Sequence, residues 1–195
     1  MSVGQKIDLS GCSYGETNGP CPFIYRPTNY YFFLAGLVST HKFTYILEIG
    51  THFGGAIMSM SRGIPKKDVQ SSRLVTVDIA NKNREGFRNY PFITRILGDS
   101  LDKRIIKKVL GCFDRPADIV YIDSVHEYLH TKRNIEIYAT ALNPLYLVLD
   151  DIRQCDSMKR LWKELTKKFK NRAFDASEIS IRKGAGFGVI QWRET

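Results

Sequence analysis

The sequence contains no apolar segment long enough to cross a lipid bilayer. Its longest uncharged stretch around the aromatic residues, positions 28–40, is shorter than the roughly 20 residues that a transmembrane helix needs. The first residues, MSVGQKIDLSG, have no apolar core of the kind found in signal peptides. We therefore expect a soluble protein of the cytoplasm.

Cysteines are few, and they lack the spacing of a zinc site. The sequence has four of them, Cys12, Cys21, Cys112 and Cys155, without the C-x-x-C pairs that structural zinc usually requires. We expect free thiols, with a disulfide between Cys12 and Cys21 as the alternative.

Acidic residues are too few to balance the basic ones. There are 20 Asp and Glu against 29 Lys and Arg, which gives a net charge of +9. Much of the excess lies at positions 103–108 and 159–172. The second stretch has apolar residues at helical spacing, which leaves Lys159, Lys163, Lys167 and Lys170 on the solvent side. This pattern indicates either a solvated helix face or attraction to an acidic partner, such as RNA or an anionic surface.

The alternation of short apolar runs with longer amphipathic stretches is typical of parallel strands joined by helices. We predict strands at 44–49, 74–78, 94–97, 118–123 and 145–149, and helices at 29–39, 54–62, 101–110 and 127–141, followed by the basic helix. Two β-rich runs, 178–182 and 187–192, predict a C-terminal antiparallel hairpin. The expected fold is α/β: a doubly wound, Rossmann-like, mostly parallel seven-stranded sheet.

The composition predicts one domain with a distinct N-terminal segment. Gly, Pro and other turn-forming residues crowd positions 11–22, so residues 1–28 are expected to be an irregular leader or a lid over the site. Residues 29–195 are of ordinary length for a single domain.

A glycine-containing turn follows the first strand, within YILEIGTHFGG at 45–55. A dinucleotide-binding turn would have G-x-G-x-x-G, but Glu48 stands where its first glycine would be. A carboxylate there disfavours phosphate and suits a positively charged ligand, while Gly50 and Gly54 permit close backbone approach. Asp78 ends the second strand, where it could accept hydrogen bonds from the hydroxyls of a ribose. A cation joined to a ribose describes S-adenosylmethionine.

Residues 29–192 resemble a class I S-adenosylmethionine-dependent methyltransferase. The resemblance rests on E-x-G-x-x-x-G at 48–54, on Asp78, and on GDS at 98–100. It implies that the methionine end of the cofactor is lined by Glu48, Gly50, Thr51 and Gly54. It also implies that Asp78 holds the ribose and that Asp99 and Ser100 lie beside the adenine.

Acidic residues also end the fourth and fifth strands. Because adjacent parallel strands end at one edge, Asp123, Asp150 and Asp151 should lie within a few ångströms of one another and repel unless a cation binds among them. Hard oxygen ligands suit Mg²⁺, Ca²⁺ or Mn²⁺. Such an ion could lower the pKa of an attacking hydroxyl, with His126 as the base that takes its proton. Asp123 and His126 are thus the candidate catalytic residues. Alternatively, one acid contacts the cofactor, two cap helices, and His126 anchors its loop.

The phrases DIVYIDSVHEY and LVLDDI are similar to a family of metal-dependent O-methyltransferases, the macrocin-type sugar enzymes and relatives of the cephalosporin-hydroxylase-associated methyltransferase. By this resemblance the acids matching Asp123, Asp150 and Asp151 bind the metal. The sequence departs from the family at Ser124, where glycine is usual, and at Pro144-Leu145-Tyr146, where the family has P-G-G.

The acceptor is expected to be an oxygen atom. The sequence has no N-P-P-Y or D-P-P-Y after the fourth strand, which nucleic-acid amino methylation would use, and no Pro-Cys nucleophile. The leading hypothesis is metal-assisted O-methylation of a small hydroxylated molecule, a sugar or a natural product. The alternatives are an RNA-directed methyltransferase and a non-catalytic S-adenosylmethionine-binding module. A homo-oligomer is compatible with so compact a chain. Aromatic side chains that could line the acceptor cleft are Tyr14, Tyr25, Phe87, Tyr90 and Tyr128.

Overall fold

The structure is a computed structural model that describes residues 3–12, 29–82, 84–179 and 184–194. Within these residues a seven-stranded sheet has the order β3-β2-β1-β4-β5-β7-β6. The strands are β1 (Tyr45–Ile49), β2 (Arg73–Asp78), β3 (Ile93–Leu97), β4 (Ile119–Ile122), β5 (Tyr146–Asp150), β6 (Ala173–Asp175) and β7 (Phe187–Gln191). Strands β1 to β5 are parallel, and β7 is antiparallel to both β5 and β6. The predicted doubly wound, mostly parallel sheet is confirmed.

One predicted strand is wrong. Residues Ser177–Ile179 form a 3₁₀ turn, and the rest of the predicted run 178–182 lies outside the described residues. Besides β5, the strand that pairs with β7 is β6, which is three residues long and is separated from the basic helix by a short 3₁₀ turn, Lys170–Arg172. The prediction failed because the predicted segment, Glu-Ile-Ser-Ile, has a stronger β propensity than the observed strand, Ala-Phe-Asp. Strand pairing depends more on the tertiary position of a segment than on its intrinsic propensity.

The helices are α1 (Asn29–His41), α2 (Gly55–Arg62), α3 (Arg84–Phe87), α4 (Lys103–Leu110), α5 (Tyr128–Asn134), α6 (Thr140–Leu142) and α7 (Asp156–Phe169). A π-helical segment, Ile135–Ala139, joins α5 to α6, so the predicted helix 127–141 is present but not uniformly α-helical. No helix among the described residues is long and apolar enough to cross a membrane.

Both faces of the sheet are buried, which explains the continuous apolar runs of its strands. On one face, Ile46 and Tyr121 pack with α1 and α2. On the other, Leu47 and Ile122 pack with residues of α7, among them Trp162. Lys159, Lys163 and Lys167 of α7, and Lys170 just after it, are exposed, as predicted.

The described part of the N-terminal segment packs against the body of the protein. Leu9 and Cys12 are buried in the same core cluster as α1, and Cys12 is a free thiol like Cys112 and Cys155. Residues 13–28, which include Cys21, Tyr14 and Tyr25, lie outside the described residues. The prediction that residues 1–28 are an irregular leader or a lid therefore lies partly outside the described residues and stays a prediction.

Candidate functional site

A cavity of about 260 Å³ lies at the carboxyl ends of β1, β2 and β4. This is where the sheet order reverses, the usual ligand position in open parallel sheets. Four residues predicted from the sequence to bind the cofactor line it, together with one predicted for the metal: Gly50, Asp78, Asp99, Ser100 and Asp123. Thr51 lines a smaller cavity of about 130 Å³ that shares Asp78.

The turn after β1 can be built only with glycine. Gly50 has φ 97°, and a Cβ there would lie 1.8 Å from the carbonyl oxygen of Asp123. Its N–H donates to Val77 of β2 at 2.9 Å, while the N–H of Asp123 donates to Ile49 at 2.8 Å. The turn is thus held between two strands, and the cavity opens directly beside it.

Glu48 lies beneath the cavity and is not among the residues that line it, contrary to the prediction. It is 1% exposed; its Oε1 accepts from the N–H of Ile57 in α2 at 3.0 Å, and its Oε2 accepts from the hydroxyl of Thr76. Burial raises the pKa of this carboxyl well above its ordinary value, despite the hydrogen bond from Thr76. The sequence could not show that this side chain points under α2. Gly54 is not among the lining residues of this cavity either, and it lies next to the ring of Phe87.

Asp78 is oriented by two backbone groups. Its Oδ2 accepts from the N–H of His52 and its Oδ1 from the N–H of Ala80, both at 2.7 Å. A carboxylate has about four acceptor positions, so it can still accept two hydroxyl groups from the cavity. Binding of a ribose at Asp78 stays a prediction, and the geometry leaves room for it.

The loop after β3 is fixed from the far side of the cavity. Asp99 accepts from the N–H of Leu101 at 2.8 Å, and the carbonyl of Ser100 accepts from the hydroxyl of Tyr138 at 2.6 Å. Tyr138 belongs to the π-helical segment, which aims it at this loop. Such segments are frequent at functional sites.

Some lining residues were not predicted. Ile79 and Val125 are 76% and 48% exposed, unusually high for large apolar side chains facing a cavity, and His52 and His130 complete the rim. Ile79 could have been inferred as the residue after the acid that ends β2. The others depend on loop conformation. Of the aromatic residues predicted for an acceptor cleft, Phe87 and Tyr90 are buried in the core, and Tyr128 bonds to Glu164.

Three carboxylates meet where β4 and β5 end, as predicted. The hydroxyl of Tyr121 is 3.2 Å from Asp123 Oδ2 and 3.5 Å from Asp150 Oδ2. His126 Nε2 is 3.4 Å from Asp123 Oδ1 and 3.5 Å from Asp151 Oδ2. We call Asp123, Asp150, Asp151 and His126 the acid cluster.

The acid cluster is electrostatically strained. Burial, with the charges of Asp123 and Asp151, raises the pKa of Asp150 well above its ordinary value. Burial lowers the pKa of His126, but contact with Asp123 and the charges of Asp123 and Asp151 more than compensate, so the net shift is upward. Asp151 has φ 55°, a backbone conformation that side chains other than glycine adopt at a cost.

The donor atoms of the cluster suit a hard divalent cation, but they are not arranged around one. Among the described residues, no three acidic, histidine or cysteine side chains are already arranged so that they could hold a metal ion, and metal binding by Asp123, Asp150 and Asp151 stays a prediction. The physical reason is that His126 lies between two of the acids, while Asp150 Oδ1 accepts from the N–H of Asp151 at 2.9 Å. His126 Nε2 is buried, and the two acidic oxygens beside it, Asp123 Oδ1 and Asp151 Oδ2, lie at the outer limit of hydrogen-bond distance.

Comparison with known proteins identifies the family of the chain. Residues 24–174 match the family Rhamnosyl O-methyltransferase/CmcI. The chain belongs to this family. It is an S-adenosylmethionine-dependent O-methyltransferase, as the class I resemblance implied. A search of curated proteins finds no match.

Solved structures of O-methyltransferases share the fold. TomG from Streptomyces achromogenes, in complex with SAM, is similar with a TM-score of 0.68 and 15% identity over 99% of this chain and 94% of that one. The O-methyltransferase from Bacillus cereus, in complex with SAH, has a TM-score of 0.62 and 16% identity over 90% and 84%.

The MycE methyltransferase of the mycinamycin biosynthetic pathway, in complex with Mg, SAH and mycinamycin VI, has a TM-score of 0.60 and 17% identity. The match covers 97% of this chain and 54% of MycE. At these identities, the similarity shows that this chain and the three solved structures share a fold.

Proposed function

We propose that this O-methyltransferase acts on a hydroxyl of a small molecule, a sugar or a natural-product scaffold, with the help of a divalent cation such as Mg²⁺. One observation carries the proposal: Asp123 both lines the cofactor cavity and belongs to the acid cluster. A cofactor in the cavity and an acceptor at the cluster would therefore be neighbours.

At the cofactor end, the side chains around the cavity match the parts of S-adenosylmethionine. Asp78 would accept hydrogen bonds from the ribose hydroxyls. Exposed Ile79 and Val125 offer apolar surface for the adenine, with Asp99 and Ser100 beside it. Burying a planar base against such side chains is favourable because it removes apolar area from water.

At the acceptor end, Asp123, Asp150 and Asp151 would hold the cation, which would chelate substrate oxygens and lower the pKa of the hydroxyl that is methylated. His126 would take the proton from that hydroxyl, since its Nε2 is beside two of the acids and has no other partner in the described residues. Asp123 contacts His126 and so would stabilise the imidazolium that forms.

We further propose that residues 29–195 form the catalytic unit. A cytoplasmic location is supported by the free thiols of Cys12, Cys112 and Cys155. Assembly into a homo-oligomer stays a prediction from the sequence.

Methyl transfer to a panel of sugars and hydroxylated natural products, measured by mass spectrometry, tests the proposal. Turnover should need Mg²⁺ or Mn²⁺, stop in EDTA and be abolished by Asp150→Asn. The control is Asp156→Asn, because Asp156 is also acidic but its side chain is 98% exposed on α7. Full activity in EDTA would remove the metal from the proposal, and transfer to RNA but to no small molecule would contradict the substrate class.

A further inference from the structure

The centre of β4 carries a buried tyrosine where its neighbours are aliphatic. Tyr121 is flanked by Val120 and Ile122 and is 0% exposed. In the sheet it lies between Glu48 of β1 and Val148 of β5. Because side chains alternate along a strand, Tyr121 faces the same side of the sheet as Asp123, two residues later.

Burying a phenolic hydroxyl is unfavourable unless it finds a hydrogen-bond partner. For Tyr121 the partners among the described residues are Asp123 Oδ2 at 3.2 Å and Asp150 Oδ2 at 3.5 Å. One hydroxyl therefore reaches a carboxylate from each of two adjacent strands. A phenylalanine would fill the same apolar space without this contact.

The ring of Tyr121 is held by packing, so its hydroxyl has a fixed position. It belongs to the core cluster beneath α1, with the ring of Phe187 at a centroid distance of 6.3 Å. At neutral pH a tyrosine hydroxyl, whose ordinary pKa is about 10, keeps its proton and can act as a donor.

We propose that Tyr121 is a positioning residue that holds the Asp123 and Asp150 carboxylates together for cation binding. The inference rests on the proposed metal-assisted function. The hydroxyl supplies one donor between two acids that repel each other, and its single proton can be donated to either Asp123 Oδ2 or Asp150 Oδ2, both of which are within 3.5 Å of the hydroxyl oxygen. Partners of this kind, behind the metal ligands, typically change metal affinity by about 10–100-fold when they are removed.

A double-mutant cycle of Tyr121→Phe and Asp150→Asn, measured by denaturant unfolding without metal, tests the contact itself. Tyr121→Phe should lower stability in the wild-type background and have a clearly smaller effect when residue 150 is already Asn. Tyr90→Phe, which also removes a buried hydroxyl but contacts Arg62, is the matched control and should show no coupling to Asp150→Asn. Additive effects of Tyr121→Phe and Asp150→Asn would overturn the proposal.

Calorimetric titration of Mn²⁺ into the same proteins separates positioning from general packing. Tyr121→Phe should weaken Mn²⁺ binding at least about 10-fold while S-adenosylmethionine binding is unchanged, and Tyr90→Phe should change neither. Equal Mn²⁺ affinity in wild type and Tyr121→Phe would overturn the role in cation binding. If wild type binds no Mn²⁺, the metal in the proposed function fails, the cation-binding role of Tyr121 fails with it, and the cycle decides whether the acid-pair contact exists.

Discussion

Replacing Asp150 by asparagine should stabilise the metal-free protein. Asp123 and Asp150 each have an oxygen close to the hydroxyl of Tyr121, at 3.2 and 3.5 Å. Two unit charges about 6.7 Å apart, the largest separation that these contacts allow, repel by about 2.5 kcal/mol at an effective dielectric constant of about 20. Asparagine keeps an oxygen for the N–H of Asp151 and carries no charge that would repel Asp123.

Part of this repulsion is already relieved, because the raised pKa of Asp150 lets the folded protein bind a proton there. We therefore expect Asp150→Asn to raise the free energy of unfolding of the metal-free protein by about 1–2 kcal/mol at neutral pH. For a chain of this size, this corresponds to an increase of about 2–8 °C in Tm. A carboxyl whose pKa is raised on folding destabilises the protein only as the pH rises above its unfolded pKa. The gain should accordingly disappear near pH 4 and below.

Thermal unfolding in EDTA, followed by circular dichroism, measures this difference. In saturating Mg²⁺ the wild type should become more stable than Asp150→Asn. A ligand at 100 times its Kd adds about 2.7 kcal/mol to the free energy of unfolding of the protein that binds it, and the variant should bind the ion poorly. Asp156→Asn is the exposed control and should change Tm little. The reasoning is refuted if Asp150→Asn is no more stable than wild type in EDTA at neutral pH.

Three further predictions concern other parts of the site. Gly50→Ala should lower the free energy of unfolding by about 1–3 kcal/mol because of its left-handed φ alone, and the clash with the Asp123 carbonyl should lower it further. The control is Gly184→Ala, where an added Cβ would have no atom within 4 Å, and this variant should unfold like wild type in denaturant. If His126 is the base, wild-type methyl transfer should increase as the pH rises and the imidazole loses its proton, and His126→Asn should lower kcat about 10²–10⁴-fold. A flat pH profile together with an active variant would refute its role as base. Glu48→Gln should retain S-adenosylmethionine binding in calorimetry, because a neutral side chain suits its buried position, whereas complete loss of binding would mean that Glu48 contacts the ligand itself.

The fold and the meeting of the acids could be predicted because both follow from chain-local patterns. Apolar runs alternating with helices specify a parallel sheet, and parallel strands bring their carboxyl ends to one edge. Four acids end or follow such a run: Asp78, Asp99, Asp123 and Asp150. Their position at one edge of the sheet therefore follows from the arrangement of the strands alone, without knowledge of the side-chain conformations.

Side-chain direction and short-range pairing could not be predicted in this way. Glu48 turns under α2 because Ile57 and Thr76 satisfy it there, and no pattern in the sequence encodes these partners. The pairing of β6 with β7 depends on where α7 ends. The contact of Tyr121 with two acids depends on the register of β4 against β5, which sequence periodicity does not define.

The central claim, that the cavity binds S-adenosylmethionine through Asp78, is tested most directly by calorimetric titration of the cofactor. Wild type should bind in the micromolar range, and Asp78→Ala should bind at least about 10-fold more weakly, since it removes two charge-assisted hydrogen bonds. Asp114→Ala, an exposed acid in the loop before β4, should bind like wild type. No binding by wild type, or equal binding by wild type and Asp78→Ala, would contradict the account.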